Sequence, residues 1–215
     1  MKILNYAKID FMKLKDYAWF LLFPVLSCVL VLQDPSAPLY VCVLYSLFGG
    51  VVCASLPFAS ETRAAAGFLQ LLPSRDGDNI RGHFLFSFFI QIASLVLGLA
   101  ASFVVRLFQP QLPFVSLNTC GLMFSFSLVL VGIQNLMYVI FRYQAAKAVV
   151  FIRLLPAFLF FYGGLLTNKY LNTPAFSDIA AWILNPGSLI LTVLCPILYL
   201  LMAQAGAALS TRKGL

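Results

Sequence analysis

The side chains able to do chemistry are few. Asp76-Gly77-Asp78 is one tight carboxylate pair, a spacing with which a membrane enzyme can hold a divalent cation for headgroup transfer. Such a site needs further aspartates one and two helical turns on, and Arg81, Phe84, Leu85 and Phe88 stand there instead. His83 is the one histidine, so a histidine relay or metal site has no partner, and it reads as a polar residue at a span boundary. Cys28, Cys42, Cys53, Cys120 and Cys195 all fall in apolar runs without C-x-x-C spacing, and read as small hydrophobes in helices. No G-x-x-x-x-G-K-[ST] loop is present to bind a nucleotide. Gln91, Gln134 and Asn135 are the polar groups at depth in apolar segments, suited to hydrogen bonds between helices or to lining a path for cargo.

The elements that must carry these residues are membrane helices. Of 215 residues, 62% are hydrophobic and 10% charged, whereas a soluble domain carries about 25% charged residues. Six spans of about 20 residues use roughly 120 and leave no room for a fused ATPase. The apolar runs place them at 17–32, 39–59, 84–108, 119–141, 148–167 and 187–208, in one transmembrane domain over 1–215. Asp34-Pro35-Ser36-Ala37-Pro38 makes a tight turn after the first. Ahead of it, residues 1–16 are too charged to cross. Leu4, Ala7, Phe11 and Leu14 recur at helical steps with Lys8 and Lys15 on the other side, which predicts an interfacial helix with its lysines toward anionic lipid.

Orientation follows from the basic residues. With the amino terminus in the cytoplasm, Lys2, Lys8, Lys13, Lys15, Arg63, Arg75, Arg81, Arg142, Lys147, Arg153, Arg212 and Lys213 lie inside. Only Arg106 and Lys169 of the 14 lie outside. Both termini are therefore expected inside, and net charge +7 reflects topology rather than nucleic-acid binding. Arg153, a few residues into the fifth span, reads as an anchor snorkelling to the inner headgroups. None of the seven acids falls mid-span, which disfavours proton- or sodium-coupled transport.

Two irregular segments interrupt the spans. Ser60 caps a helix from Glu61 that runs through Ala64 to Leu72 and stops at Pro73, giving a compact inner loop at 60–83 suited to a protein partner. Outside, Pro174 opens a short amphipathic helix that Asn185-Pro186-Gly187 closes. The segment 168–186 is too short to span, and so lies on or dips into the outer leaflet.

The expected fold is thus all-α: an integral membrane protein of six transmembrane helices, both ends inside, with an amino-terminal elbow, an inner helical loop between helices two and three, and a re-entrant element before helix six. This arrangement, with E61-T-R-A-A-A-G-F-L-Q-L-L-P-S-R-D ahead of the third span and Asn185-Pro186 before the last, resembles the ABC-2 type permeases of ABC exporters. The Asp76, Gly77, Asp78 stretch departs from that family, whose members more often carry basic or aliphatic residues there.

The resemblance implies a non-enzymatic multi-pass subunit of a bacterial cytoplasmic membrane. Its inner loop would be a coupling helix seated on a separate ATP-binding cassette subunit, with Glu61, Arg63, Leu72, Pro73, Ser74, Arg75 and Asp76 at the contact. ATP and magnesium would be bound by that partner, and this chain would carry no cofactor or metal. Two permease copies and two ATPases would export an amphipathic peptide or another hydrophobic compound. Two other readings are weighed against it: a membrane scaffold or sensor that does not transport, and an intramembrane lipid enzyme using Asp76 and Asp78.

Overall fold

The computed structural model describes residues 2–13, 22–34, 37–54, 77–141, 158–159, 162 and 186–212. Among these, regular structure is helical: α1 (Lys2–Lys13), α2 (Leu22–Gln33), α3 (Tyr40–Ala54), α4 (Asp78–Phe108), α5 (Leu117–Phe141) and α6 (Pro186–Arg212). Three stretches are long and apolar enough to cross a bilayer: Asp78–Phe108, Leu117–Phe141 and Ile190–Thr211. Helices α2 and α3 are apolar but only 12 and 15 residues long. The inner loop as far as Asp76, the short helix opened by Pro174, Arg153 and nearly all of the expected fifth span lie outside the described residues.

Local chemistry sets the ends of the helices. At the turn expected after α2, the Ala37 amide donates to the Asp34 carbonyl at 2.9 Å, and Pro35 and Ser36 lie outside the described residues. Ser116 caps α5, its Oγ accepting from the Thr119 amide at 3.1 Å. Helix α4 carries Asp78 in its first turn and Arg106 in its last, each opposing the nearby pole of the helix dipole. It begins well ahead of Phe84, where the apolar run starts. Hydropathy marks the hydrocarbon boundary, whereas the helix continues through Asn79-Ile80-Arg81-Gly82-His83 because nothing there breaks it, and the Arg81 amide bonds the Gly77 carbonyl at 3.1 Å.

Helix α4 is the hub, packed against all five other helices. Its buried face repeats at alternating four- and three-residue steps: Ile80, Phe84, Ser87, Gln91, Ser94, Gly98, Ala101, Val105. Small residues on this stripe let neighbouring backbones approach. At Gly98 a Cβ would fall 2.8 Å from the Val43 Cα and 3.2 Å from the Cys42 carbonyl, so α3 rests directly on α4. The opposite side, with Val96, Phe103 and Leu107, is exposed, as a lipid-facing surface must be.

Neighbour pairs fix the directions of the helices. Helix α3 runs antiparallel to α4, since Gly50 meets Ser94 and Gly98 meets Val43. Helices α5 and α6 run parallel to one another, Gly121 lying against Thr192 and Gly132 against Tyr199 and Met202. The start of α4 meets α1 through Gly82 and Tyr6, and meets α6 through Gly77 and Ala207. One end of the bundle therefore gathers α1, the end of α3, the start of α4 and the end of α6.

Replacing Gly98 with leucine is expected to lower the thermal midpoint of the detergent-purified protein, because overpacking against backbone costs about 1–3 kcal/mol. Val96→Leu on the exposed face should leave it unchanged. Equal midpoints for the two variants would mean that α3 is not seated on α4.

Candidate functional site

Glu61, Arg63, Leu72, Pro73, Ser74, Arg75 and Asp76, the residues expected to meet an ATPase subunit, lie outside the described residues. Of the Asp76 and Asp78 pair, Asp78 is buried in the first turn of α4, its Oδ1 3.5 Å from Arg81 Nη1. Arg81 in turn donates from Nη2 to Gln204 Oε1 at 3.1 Å, so this ion pair ties the start of α4 to α6. Among the described residues no group of three or more His, Cys, Asp and Glu is placed to hold a metal.

Gln91, Gln134 and Asn135 are all fully buried. The Ser127 hydroxyl donates to Gln91 Oε1 at 3.2 Å, and Asn135 Nδ2 donates to Ser87 Oγ at 3.0 Å. Similar depth on adjacent helices thus brings Gln91 and Asn135 each onto a serine of the facing helix. Ser87 sits 2.9 Å from both the Ala54 and His83 carbonyls, which places α3, α4 and α5 around one hydroxyl. Ser127 likewise returns to its own helix, its Oγ 2.8 Å from the Phe124 carbonyl, which shares the one hydroxyl hydrogen with Gln91. Such back-bonding allows serines to be buried in an apolar solvent at little cost. Tyr199 brings in α6, its hydroxyl donating to the Phe84 carbonyl at 2.7 Å, with its ring 5.5 Å from that of Phe84.

The seam is not saturated. Gln91 Nε2, Ser94 Oγ and Asn135 Oδ1 are buried without a hydrogen-bond partner among the described residues. Gln91 Nε2 and Ser94 Oγ both face Gly50 of α3. Polar capacity of this kind is available to water or cargo when helices separate, and is costly while they stay closed.

His83 corrects the reading of a boundary residue. It is 2% exposed, and its Nδ1 lies 2.5 Å from Oδ2 of Asp10, which is 1% exposed. The side of α1 that packs on the protein follows from this pair. Tyr6, Ala7 and Asp10 are buried, whereas Leu4 and Phe11, expected on the apolar face, are 61% and 39% exposed. Leu14 lies outside the described residues. The side of α1 packed on the protein is thus the one that holds the carboxylate, and Leu4 projects outward from the bundle. Gly82 makes the approach feasible, since a Cβ there would fall 2.5 Å from the Tyr6 Cβ and 3.2 Å from the Ile3 carbonyl.

Sequence reading missed Asp10, Ser87, Ser127 and Tyr199 as partners. A signal for Ser87 was present in the step pattern of α4, where it falls on the stripe with Gln91 and Ser94. Nothing local marks Asp10, because its partner is 73 residues away.

A bundle of long apolar helices with a buried polar seam, its described amino-terminal helix fastened at the end where α4 starts, defines a multi-pass helical membrane protein. The sequence model of the ABC-2 family transporter protein matches residues 8–204, and the chain belongs to that family: it is a membrane permease of an ABC transporter. No curated protein and no solved structure matches the chain. Permeases of this family work with ABC ATPase partners.

A Ser87→Ala, Asn135→Ala double-mutant cycle should return a coupling energy of about 0.6 kcal/mol, and no more than about 1.7 kcal/mol, as for other hydrogen bonds between membrane helices. Reversible unfolding in mixed micelles measures it. Strict additivity would remove the bond between α4 and α5.

Proposed function

We propose that this chain is the transmembrane subunit of an ATP-driven exporter that moves an amphipathic peptide or another hydrophobic compound, powered by a separate ATP-binding subunit. The observation that carries this reading is where the chain between α3 and α4 leaves and re-enters the bundle. Ala54 and Asp78 open at the end that also holds α1 and the end of α6. If the chain ends are cytoplasmic, as the basic residues argue, residues 55–76 face the cytoplasm, where ATP is. Glu61, Arg63, Leu72, Pro73, Ser74, Arg75 and Asp76 then provide the contact with the ATPase.

The parallel course of α5 and α6 supports the six-span topology. Two parallel neighbours in sequence are what an intervening crossing, at 148–167, produces. Cargo chemistry follows from the interior. The core clusters are built of valine, leucine, phenylalanine and cysteine, and the polar groups among them are neutral amides and hydroxyls. Such walls suit an apolar solute with a few polar groups and offer little to an ion or a sugar. Gln91, Gln134 and Asn135 are the groups that meet such cargo when α3, α4 and α5 part, and a second permease copy completes the path. Closure of the ATPase pair moves residues 55–76, and α4 carries that displacement into the bundle as a rigid lever.

Changing Leu72, Pro73 and Arg75 together to alanine should leave membrane insertion intact and abolish stimulation of the ATPase by the permease in proteoliposomes. Survival of the stimulation would remove the coupling assignment. Recovery of the chain from native membranes with no nucleotide hydrolase would favour the scaffold reading instead.

A further inference from the structure

We propose that Asp10 and His83 are a positioning pair, a buried clasp that makes α1 and the first turns of α4 one mechanical body. The amino-terminal helix would then be a moving part of the permease and not a passive membrane anchor. The transmission half of this inference rests on the exporter reading above; the clasp itself does not.

Three features of α1 argue for the clasp. First, the pair is almost wholly buried, with Nδ1 of His83 2.5 Å from Oδ2 of Asp10, and joins residues 73 apart in sequence. A carboxylate sheltered on an interfacial helix is costly unless it is paired, so its burial selects one rotational setting of α1, with Asp10 inward and Leu4 outward. Second, the surroundings are shaped to admit it. Gly82, the residue before His83, leaves room for Tyr6 and the Ile3 carbonyl, and the Phe11 ring meets Phe86 edge-on at 4.9 Å. Third, Ala7 closes a small apolar cluster with Cys53, Phe86 and Ile90, so α1 touches the last turn of α3 as well as α4.

These contacts border the chain between α3 and α4. Residues 55–76 follow Cys53 and Ala54 and return at Gly77, and α1 is fastened to α4 and shares an apolar cluster with Cys53. On the other side of α4 the Arg81 contact with Gln204 and the approach of Gly77 to Ala207 tie the same turns to α6. A displacement delivered through residues 55–76 therefore reaches α1 and α6 together. Apolar contact alone would allow α1 to roll or slide; a directional bond between a ring nitrogen and a carboxylate oxygen does not.

Hydrogen exchange by mass spectrometry on the complex purified from native membranes separates the two halves. Without nucleotide, Asp10→Asn and His83→Gln should each raise exchange across residues 2–13 about tenfold with little change in residues 90–105, and the exchanged pair Asp10→His with His83→Asp should restore protection. Wild-type protection of residues 2–13 in both single variants would overturn the clasp. On addition of ATP, wild-type exchange should change in residues 2–13 and 78–90 together. In His83→Gln only 78–90 should respond, a separation that a purely stabilising role would not produce. A wild-type response confined to 78–90 would overturn the transmission, and absence of any response to ATP would overturn the exporter reading while the clasp is judged on the nucleotide-free data.

Discussion

A bilayer removes water from every donor and acceptor it surrounds, and the architecture of this protein follows from how α4 meets that condition. One stripe of the helix carries Ser87, Gln91 and Ser94 among Ile80, Phe84, Gly98 and Val105. The Ser87 hydroxyl is satisfied within its own helix and by the Asn135 amide of α5, and Gln91 takes the Ser127 hydroxyl of α5, so the stripe is both polar and burial-tolerant. Because its side chains are short, α3 can lie on it with backbone in contact at Gly98.

The same helix also joins the two levels at which the molecule works. At one end it is fastened by charged and polar groups: Asp10 with His83, Asp78 with Arg81, Arg81 with Gln204. Through the middle it is held by neutral hydrogen bonds, and toward the other end by an apolar cluster of Val31, Cys42, Leu44, Ala101 and Val105. Polarity thus falls along the helix from the end where residues 55–76 attach to the end where α2 turns into α3. Strong directional contacts sit where force would enter, and weaker, smoother ones where helices would slide.

Membership of the ABC-2 transporter family gives this gradient a use. A permease must let its helices part without unfolding, and a seam of serines, amides and glycine is held by many small terms rather than by one large one. Among the described residues, Gln91 Nε2, Ser94 Oγ and Asn135 Oδ1 are buried atoms of this seam without a hydrogen-bond partner.

The sequence by itself determined that the chain is a helical membrane protein and where its long apolar helices lie, because a run of some 20 apolar residues has few other stable destinations. It also disclosed the turn at Asp34 to Pro38, since two prolines cannot continue a helix, and it singled out Gln91 and Asn135, since amides at depth need partners. Which partners they take was not legible: a serine on an apolar helix looks the same whether it faces lipid or an amide. What α1 packs against was not legible for a related reason. Periodicity reports which residues are apolar, Leu4 and Phe11 among them, and says nothing of an aspartate whose histidine lies 73 residues away. Only packing in three dimensions brings such a pair together, because the contact joins two helices distant in the chain.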